Sequence, residues 1–93
     1  MAHKGMFYNQ EFALLIRDKQ SVLYQGKAAA LSTKNADGPL DILPEHTNFI
    51  SIVKEFLSIS KIDGTSLEIP IDMGIVKVYQ NEVRVYLGIF SHV

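Results

Sequence analysis

From Phe12 onward, apolar and polar positions alternate in short runs rich in β-branched and aromatic residues, and each run ends in a turn signal. The pattern predicts nine strands, at 12–16, 21–26, 27–33, 40–43, 48–53, 56–61, 66–71, 74–79 and 82–87. Gly26 reads as a bend between the second and third, and Asn35-Ala-Asp-Gly38 as the loop into the fourth. Pro44 ends the fourth, because it has no N–H for a ladder. The stretch 49–57 also fits a turn or two of helix, but its Ile, Val and Phe favour strand and no cap follows. No long 3.6-residue stripe occurs. The expectation is an all-β fold, a two-sheet sandwich of about nine to ten short strands.

Two hairpins carry register information. A two-residue turn at Gln80-Asn81 sets Val78 opposite Val83 and Val76 opposite Val85, the buried side, with Tyr79 opposite Glu82 on the other. The same pairing puts Lys77 opposite Arg84, a like-charge contact whose cost on a solvated face is a few tenths of a kcal/mol. At Asp63-Gly64 a two-residue loop sets Ile59 against Glu68 and mixes buried with polar faces. A three-residue loop, Asp63-Gly64-Thr65, instead pairs Ile59 with Ile69, Leu57 with Ile71 and Ser60 with Glu68. That version predicts Gly64 at positive φ and Pro70 at an edge or bulge.

Composition narrows the function classes. The 93 residues suffice for one core, so residues 1–93 read as a single domain with 1–11 as a partly flexible lead-in. Nine Lys and Arg stand against ten Asp and Glu without a run of either sign, which argues against nucleic acid. There is no cysteine, and hence no disulfide framework, thiolate metal site or thiol nucleophile. No stretch of eighteen apolar residues and no signal peptide is present, so the cytoplasm is the default compartment.

The densest group of reactive side chains is Asp41, Glu45, His46 and Thr47. A catalytic reading makes His46 a base oriented by Asp41 or Glu45, with Ser51 or Thr47 as nucleophile. Against it, no oxyanion element or nucleophile elbow accompanies the group, so His46 reads as a turn or interface residue and no catalytic residue is assigned. His3, His46 and His92 are too dispersed for a metal, and the glycines are too isolated to cradle a phosphate, so no cofactor is expected. Tyr24, Tyr79 and Tyr86 fall at outward positions, either as ordinary surface tyrosines or as contacts for a protein partner.

Three ordered motifs add to this. Val22-Leu23-Tyr24-Gln25-Gly26, then Gly38-Pro39-Leu40-Asp41-Ile42-Leu43-Pro44-Glu45-His46, then Gly74-Ile75-Val76-Lys77-Val78-Tyr79-Gln80-Asn81-Glu82-Val83-Arg84-Val85 resemble the N-terminal domain of the ε subunit of F-type ATP synthases. The likeness runs from about Phe12 to Leu87, and the Leu-Pro-x-His turn is its most specific part. It implies a ten-stranded β-sandwich that makes and breaks no bond. Such a domain sits in the central stalk, binds the γ subunit, rests on the ring of c subunits, and so links them in proton- or sodium-driven ATP synthesis. Its location is peripheral, at the cytoplasmic face of the membrane, with membrane contact only through the complex. A stand-alone β-sandwich adaptor in another complex is the alternative.

Carried over residue by residue, the resemblance implies a γ-facing surface at Arg17, His46 and Ser51 and a c-ring contact at Asp37, Gly38, Pro39 and Leu40. Relatives often carry an acidic residue where Pro39 stands, which shifts the polar ring contact toward Asp37. They also carry Ala-Pro and Pro-Gly where this chain has Thr47-Asn48 and Glu55-Phe56. Full-length relatives continue into a C-terminal helical hairpin that restrains ATP hydrolysis, and no such hairpin follows Leu87 here. The sequence fits either a short member or a piece of a longer chain.

Overall fold

A computed structural model describes residues 10–88, and within them seven strands form one mixed sheet. They are β1 (Phe12–Arg17), β2 (Val22–Ala28), β3 (Ala30–Asn35), β4 (Gly38–Ile42), β5 (Phe49–Ser60), β6 (Ser66–Tyr79) and β7 (Glu82–Leu87). The sheet order is β2-β1-β7-β6-β5-β3-β4, with β1 parallel to β7 and every other pair antiparallel. The predicted lead-in 1–11 lies outside the described residues except for Gln10 and Glu11, as do His3 and His92.

Nine expected runs become seven strands because two of the expected gaps are bulges through which the chain continues. Residues 48–53 and 56–61 fuse into β5, and 66–71 and 74–79 fuse into β6. The two irregularities face each other. Lys54 pairs with Met73 and Glu55 with Ile71, so Asp72 is the extra residue, and Glu55 has a positive φ of 76°. About this point the sheet divides. The first half holds β2, β1, β7, residues 74–79 of β6 and 49–54 of β5; the second holds 66–71 of β6, 55–60 of β5, β3 and β4.

Each half turns one face inward. Phe12, Leu14, Ile16, Val76, Val78, Val83, Val85 and Leu87 from the first half join Leu31, Ile42, Leu57 and Ile59 from the second in a single buried cluster. A continuous sheet thus closes on itself as a sandwich, the burial of both faces supplying the hydrophobic driving force. Gly74 sits where β6 passes between halves, and a Cβ there would lie 2.6 Å from the Leu87 side chain and 2.9 Å from the Tyr86 carbonyl oxygen. Thr33 is the buried polar residue of the core, and its hydroxyl donates to the Phe56 carbonyl at 2.7 Å. That carbonyl lies beside the β3–β5 register shift, where the regular ladder is interrupted.

The β6–β7 hairpin has the expected register, Val78 with Val83, Val76 with Val85, Lys77 with Arg84 and Tyr79 with Glu82. Gln80 and Asn81 both have positive φ, 49 and 63°, as a two-residue turn of the primed type requires. The β5–β6 hairpin differs. Ser60 pairs with Ser66, Ile59 with Leu67, Ser58 with Glu68 and Leu57 with Ile69, a shift of two residues from the expected register. The connection is longer because Lys61 N–H bonds Thr65 O at 2.9 Å and Gly64 N–H bonds Lys61 O at 3.0 Å, closing a compact turn inside the loop. A two-residue shift preserves which face each side chain takes, so the periodicity could not detect it. Gly64 does have positive φ, and Pro70 lies on the part of β6 that pairs with β5 alone.

Two smaller expectations are corrected. Gly26 pairs with Leu14 inside β2, and the break before β3 falls at Ala29, whose N–H bonds Ser60 O at 2.7 Å. Tyr24 pairs with Ile16 and packs partly buried against the core rather than outward, its hydroxyl donating to the Lys27 carbonyl at 2.7 Å.

Candidate functional site

The connection from β4 to β5 crosses between the two halves and carries His46. A turn closes it, with His46 N–H bonding Leu43 O at 3.2 Å and Glu45 at φ 64. Two asparagines bind it to the β6–β7 hairpin. Asn81 Oδ1 accepts from Glu45 N–H at 2.7 Å, and Asn48 Oδ1 accepts from Gln80 N–H at 2.8 Å. Asn81 Nδ2 also donates to Glu11 O at 3.1 Å, and so fastens the approach to β1 as well. These residues serve turn chemistry here: short amides substitute for backbone partners where three segments meet.

His46 is half-buried, its ring centroid 5.0 Å from that of Phe49 and its Nδ1 2.9 Å from Thr47 O. Ser51 is elsewhere engaged. Its hydroxyl accepts from Asn35 Nδ2 at 3.2 Å and lies 3.3 Å from Ile52 O, to which it donates. Asp41 stands opposite Ser32 on β4, on the outer side of the second half, and Glu45 meets Asn81 through its backbone. Among the described residues no side-chain contact joins these groups to one another, and His46 meets Thr47 only through the Thr47 carbonyl.

Arg17 ends β1 opposite Tyr86, with its Nε donating to Asp18 O at 3.1 Å. The ladder places Arg17, Tyr86, Ile75 and Ile52 in one row, while the neighbouring row is Ile16, Val85, Val76 and Ser51. Adjacent rows of a sheet point to opposite faces. Arg17 consequently faces outward and Ser51 inward, so the three residues expected to face γ do not form one patch.

The expected ring contact is a tight turn at the tip of β3–β4. Asn35 pairs with Gly38, Asp37 N–H bonds Asn35 Oδ1 at 2.9 Å, and Gly38 has φ 121. Asp37 and Pro39 are exposed, whereas Leu40 pairs with Thr33 and packs against the core. Asn35 touches both this turn and Ser51, and so links the turn expected to meet the ring to one residue of the set expected to face γ.

Sequence reasoning passed over the outer face of the first half. Ile50 and Ile52 are 67% and 51% exposed, Tyr79 is 54% exposed, and Leu15, Ile75 and Tyr86 are half-buried. Interleaved with them are Arg17, Lys27, Lys54, Lys77 and Arg84, with Glu82 the one acidic residue in those rows. The alternation of strands 48–53 and 74–79 was the available signal, since both have apolar residues on the side that cannot be core.

The family is decided by the domain as a whole. Residues 11–89 match the model of the ATP synthase delta/epsilon chain β-sandwich domain. The chain belongs to that family. A delta/epsilon sandwich also has the same fold as a chain of the Euglena gracilis mitochondrial ATP synthase OSCP/F1/c-ring structure. That match has a TM-score of 0.78 and 16% identity, over 83% of this chain and 50% of that one. A chain of the Tetrahymena thermophila mitochondrial ATP synthase central stalk and c-ring matches with TM-score 0.71 and 15% identity, over 84% of this chain and 63% of that one. This delta/epsilon domain thus spans between half and two thirds of those two chains. No curated protein matches it at a significant level.

Proposed function

We propose that this chain is a noncatalytic subunit of the rotating central stalk of an F-type ATP synthase, joining the γ subunit to the c-ring. The carrying observation is the delta/epsilon family match across residues 11–89, supported by the shared fold with chains from ATP synthase stalk and c-ring assemblies. In this role the domain transmits torque. The long strands β5 and β6 run through both halves of the sheet, so a load applied to one half passes to the other through covalent backbone and ladder hydrogen bonds. A packed interior of low compressibility limits the give between them.

The turn at Asp37, Gly38 and Pro39 is the ring-facing element of this reading, with Asp37 offering a carboxylate to the polar loops of the c subunits. Leu40 supports that turn from the core side. Arg17 and His46 are assigned to γ contact from two surfaces, His46 beside the β6–β7 hairpin and Arg17 on the outer face, while Ser51 faces inward and meets Asn35. The protein is then peripheral to the membrane, on its cytoplasmic side, and the ion that drives the complex passes elsewhere.

Affinity-tagged chain, expressed in its own organism, is expected to co-purify with γ and c subunits in fixed ratio. Recovery of the chain without either, together with no binding of purified γ subunit, would refute the proposal.

A further inference from the structure

The chain contains two Asp-Gly steps, Asp37-Gly38 and Asp63-Gly64, both at hairpin tips with the aspartate exposed. Such a step is open to attack by the backbone on its own side chain, because glycine has no Cβ to keep the following amide nitrogen from the aspartate carboxyl. Space does not separate the two, since a Cβ added at either glycine meets nothing within 4 Å. What separates them is how each carboxylate is held. Asp63 Oδ1 accepts from the Thr65 hydroxyl at 2.6 Å and from Thr65 N–H at 2.9 Å, and Gly64 N–H donates to Lys61 O at 3.0 Å. The Thr65 bonds, the hydroxyl foremost, hold the Asp63 carboxyl below the usual carboxylate range and so keep it ionised. Asp37 is the reverse case. Its N–H bonds Asn35 Oδ1 at 2.9 Å, but among the described residues no hydrogen bond holds its carboxylate. Gly38 opens β4, which among the described residues pairs with β3 alone, and Pro39 after it brings no N–H to the ladder. Freeing Gly38 therefore disturbs only the end of an edge ladder, the kind of backbone that opens at low cost.

We propose that Asp37-Gly38 is a site of spontaneous backbone isomerisation to isoaspartate through a cyclic imide, and that the Thr65 clamp spares Asp63-Gly64. The Gly38 nitrogen attacks Asp37 Cγ while that carboxyl is protonated. The new N–Cγ bond closes a succinimide, and the carboxyl hydroxyl leaves as water with the amide proton. Water then adds back. Breaking the N–Cγ bond restores aspartate, whereas breaking the bond from nitrogen to the Asp37 main-chain carbonyl carbon leaves the chain running through Cβ and Cγ. In that product the former main-chain carboxyl is the side group, and the turn is longer by one methylene. One water is lost and one regained, so no oxidant or other reagent is needed. An ionised carboxylate is a poor electrophile, and a clamp that keeps Asp63 ionised and bound to Thr65 slows the first step. The inference does not depend on the stalk reading; under that reading the altered turn is the ring-facing one.

The test incubates the purified full chain, folded and in denaturant, at neutral pH in water labelled with heavy oxygen. Each imide that hydrolyses fixes one solvent oxygen at its aspartate, which peptide mass mapping reads site by site. Endoproteinase Asp-N, which does not cut at isoaspartate, reports the isomer. The measure at each site is the folded rate divided by the unfolded rate, so that differences in flanking residues cancel and only the effect of the fold remains. That ratio is expected to be several times larger at Asp37 than at Asp63. Thr65→Val, which removes the hydroxyl, is expected to raise the ratio at Asp63 and leave Asp37 unchanged, with thermal melting to confirm that the variant is folded. Equal ratios at the two sites in wild type, or a larger one at Asp63, would overturn the proposal. So would labelling of Asp37 in the folded chain no faster than that of Asp41, which precedes isoleucine. An unchanged Asp63 ratio in folded Thr65→Val would overturn the clamp.

Discussion

The two outer faces of this sandwich share a fold and differ in what they display. On the second half, two rows outside the core read Asp41, Ser32, Ser58, Glu68 and Ala30, Ser60, Ser66, small and polar side chains that water solvates at little cost, and a third pairs Phe56 with Pro70. On the first half the corresponding rows hold Ile50, Ile52, Ile75 and Tyr86 among basic residues. Both faces close the same core, so core stability does not require the difference. An apolar ridge of this kind is a usual mark of an interaction surface, whereas scattered single hydrophobes are not. The contrast is in what each outer face exposes: aliphatic and basic side chains on the first half, mostly polar ones beside Phe56 and Pro70 on the second.

The largest expected effect tests the inside of the sheet against its outside. Val78 is 2% exposed, so Val78→Asp forces a carboxylate into the core and should cost several kcal/mol, abolishing a cooperative melting transition. Ile52→Asp, on the outer face, should melt within about 1 kcal/mol of wild type. Equal destabilisation by both would show that the ridge is part of the core and dissolve the contrast between faces.

Next comes the seam joining the halves. Gly74→Ala must displace the Tyr86 carbonyl as well as the Leu87 side chain, and a cost of about 1–3 kcal/mol in denaturant unfolding is expected. An unchanged midpoint would mean that the seam yields easily. In the second half, Thr33→Val keeps the shape but strips the Phe56 carbonyl of its donor, with an expected loss of about 1–2 kcal/mol. The same measurement on Ser58→Val should give a change under about 0.5 kcal/mol, because Ser58 lies on the solvated outer row.

The smallest effect concerns pH. Asp18 is held below the usual carboxylate range chiefly by the N–H groups of Gln20 and Ser21, and Asp63 chiefly by the Thr65 hydroxyl and N–H. A folded pKa below the unfolded value contributes stability above the unfolded value of about 3.9, and that stability is lost as pH falls through the folded value. Wild type should therefore lose melting temperature below about pH 4, and Asp18→Asn/Asp63→Asn should lose less over the same range. Parallel curves for the two proteins would show that these turns do not couple to folding.

Much of the local structure was legible because it depends on neighbours in sequence. The Gln80-Asn81 turn and its valine pairs follow from period-two alternation and from a turn that needs two positive-φ residues. The Asp63-Gly64 hairpin was legible in facing but not in register, since the hydrogen bonds inside 61–65 lengthen the loop by two residues and leave parity unchanged. Within the candidate site, the motifs located His46, Ser51, Arg17 and the Asp37 turn along the chain. They did not locate them on faces, and the ladder sets Arg17 and Ser51 on opposite sides of one half-sheet.

By itself, then, the sequence determined strand content, the buried faces of the β5–β6 and β6–β7 hairpins, the tight β6–β7 turn and the family motifs, all encoded within a few residues of one another. Tertiary structure alone decided that β1 runs parallel beside β7, that facing bulges at Glu55 and Asp72 let two strands serve both halves, and that Ile52, Ile75, Tyr86 and Arg17 meet in one row. The physical reason is range. Alternation records only which side of its own strand a residue takes, whereas strand order and register are settled by which apolar faces close a common core, a choice made between segments far apart in the chain.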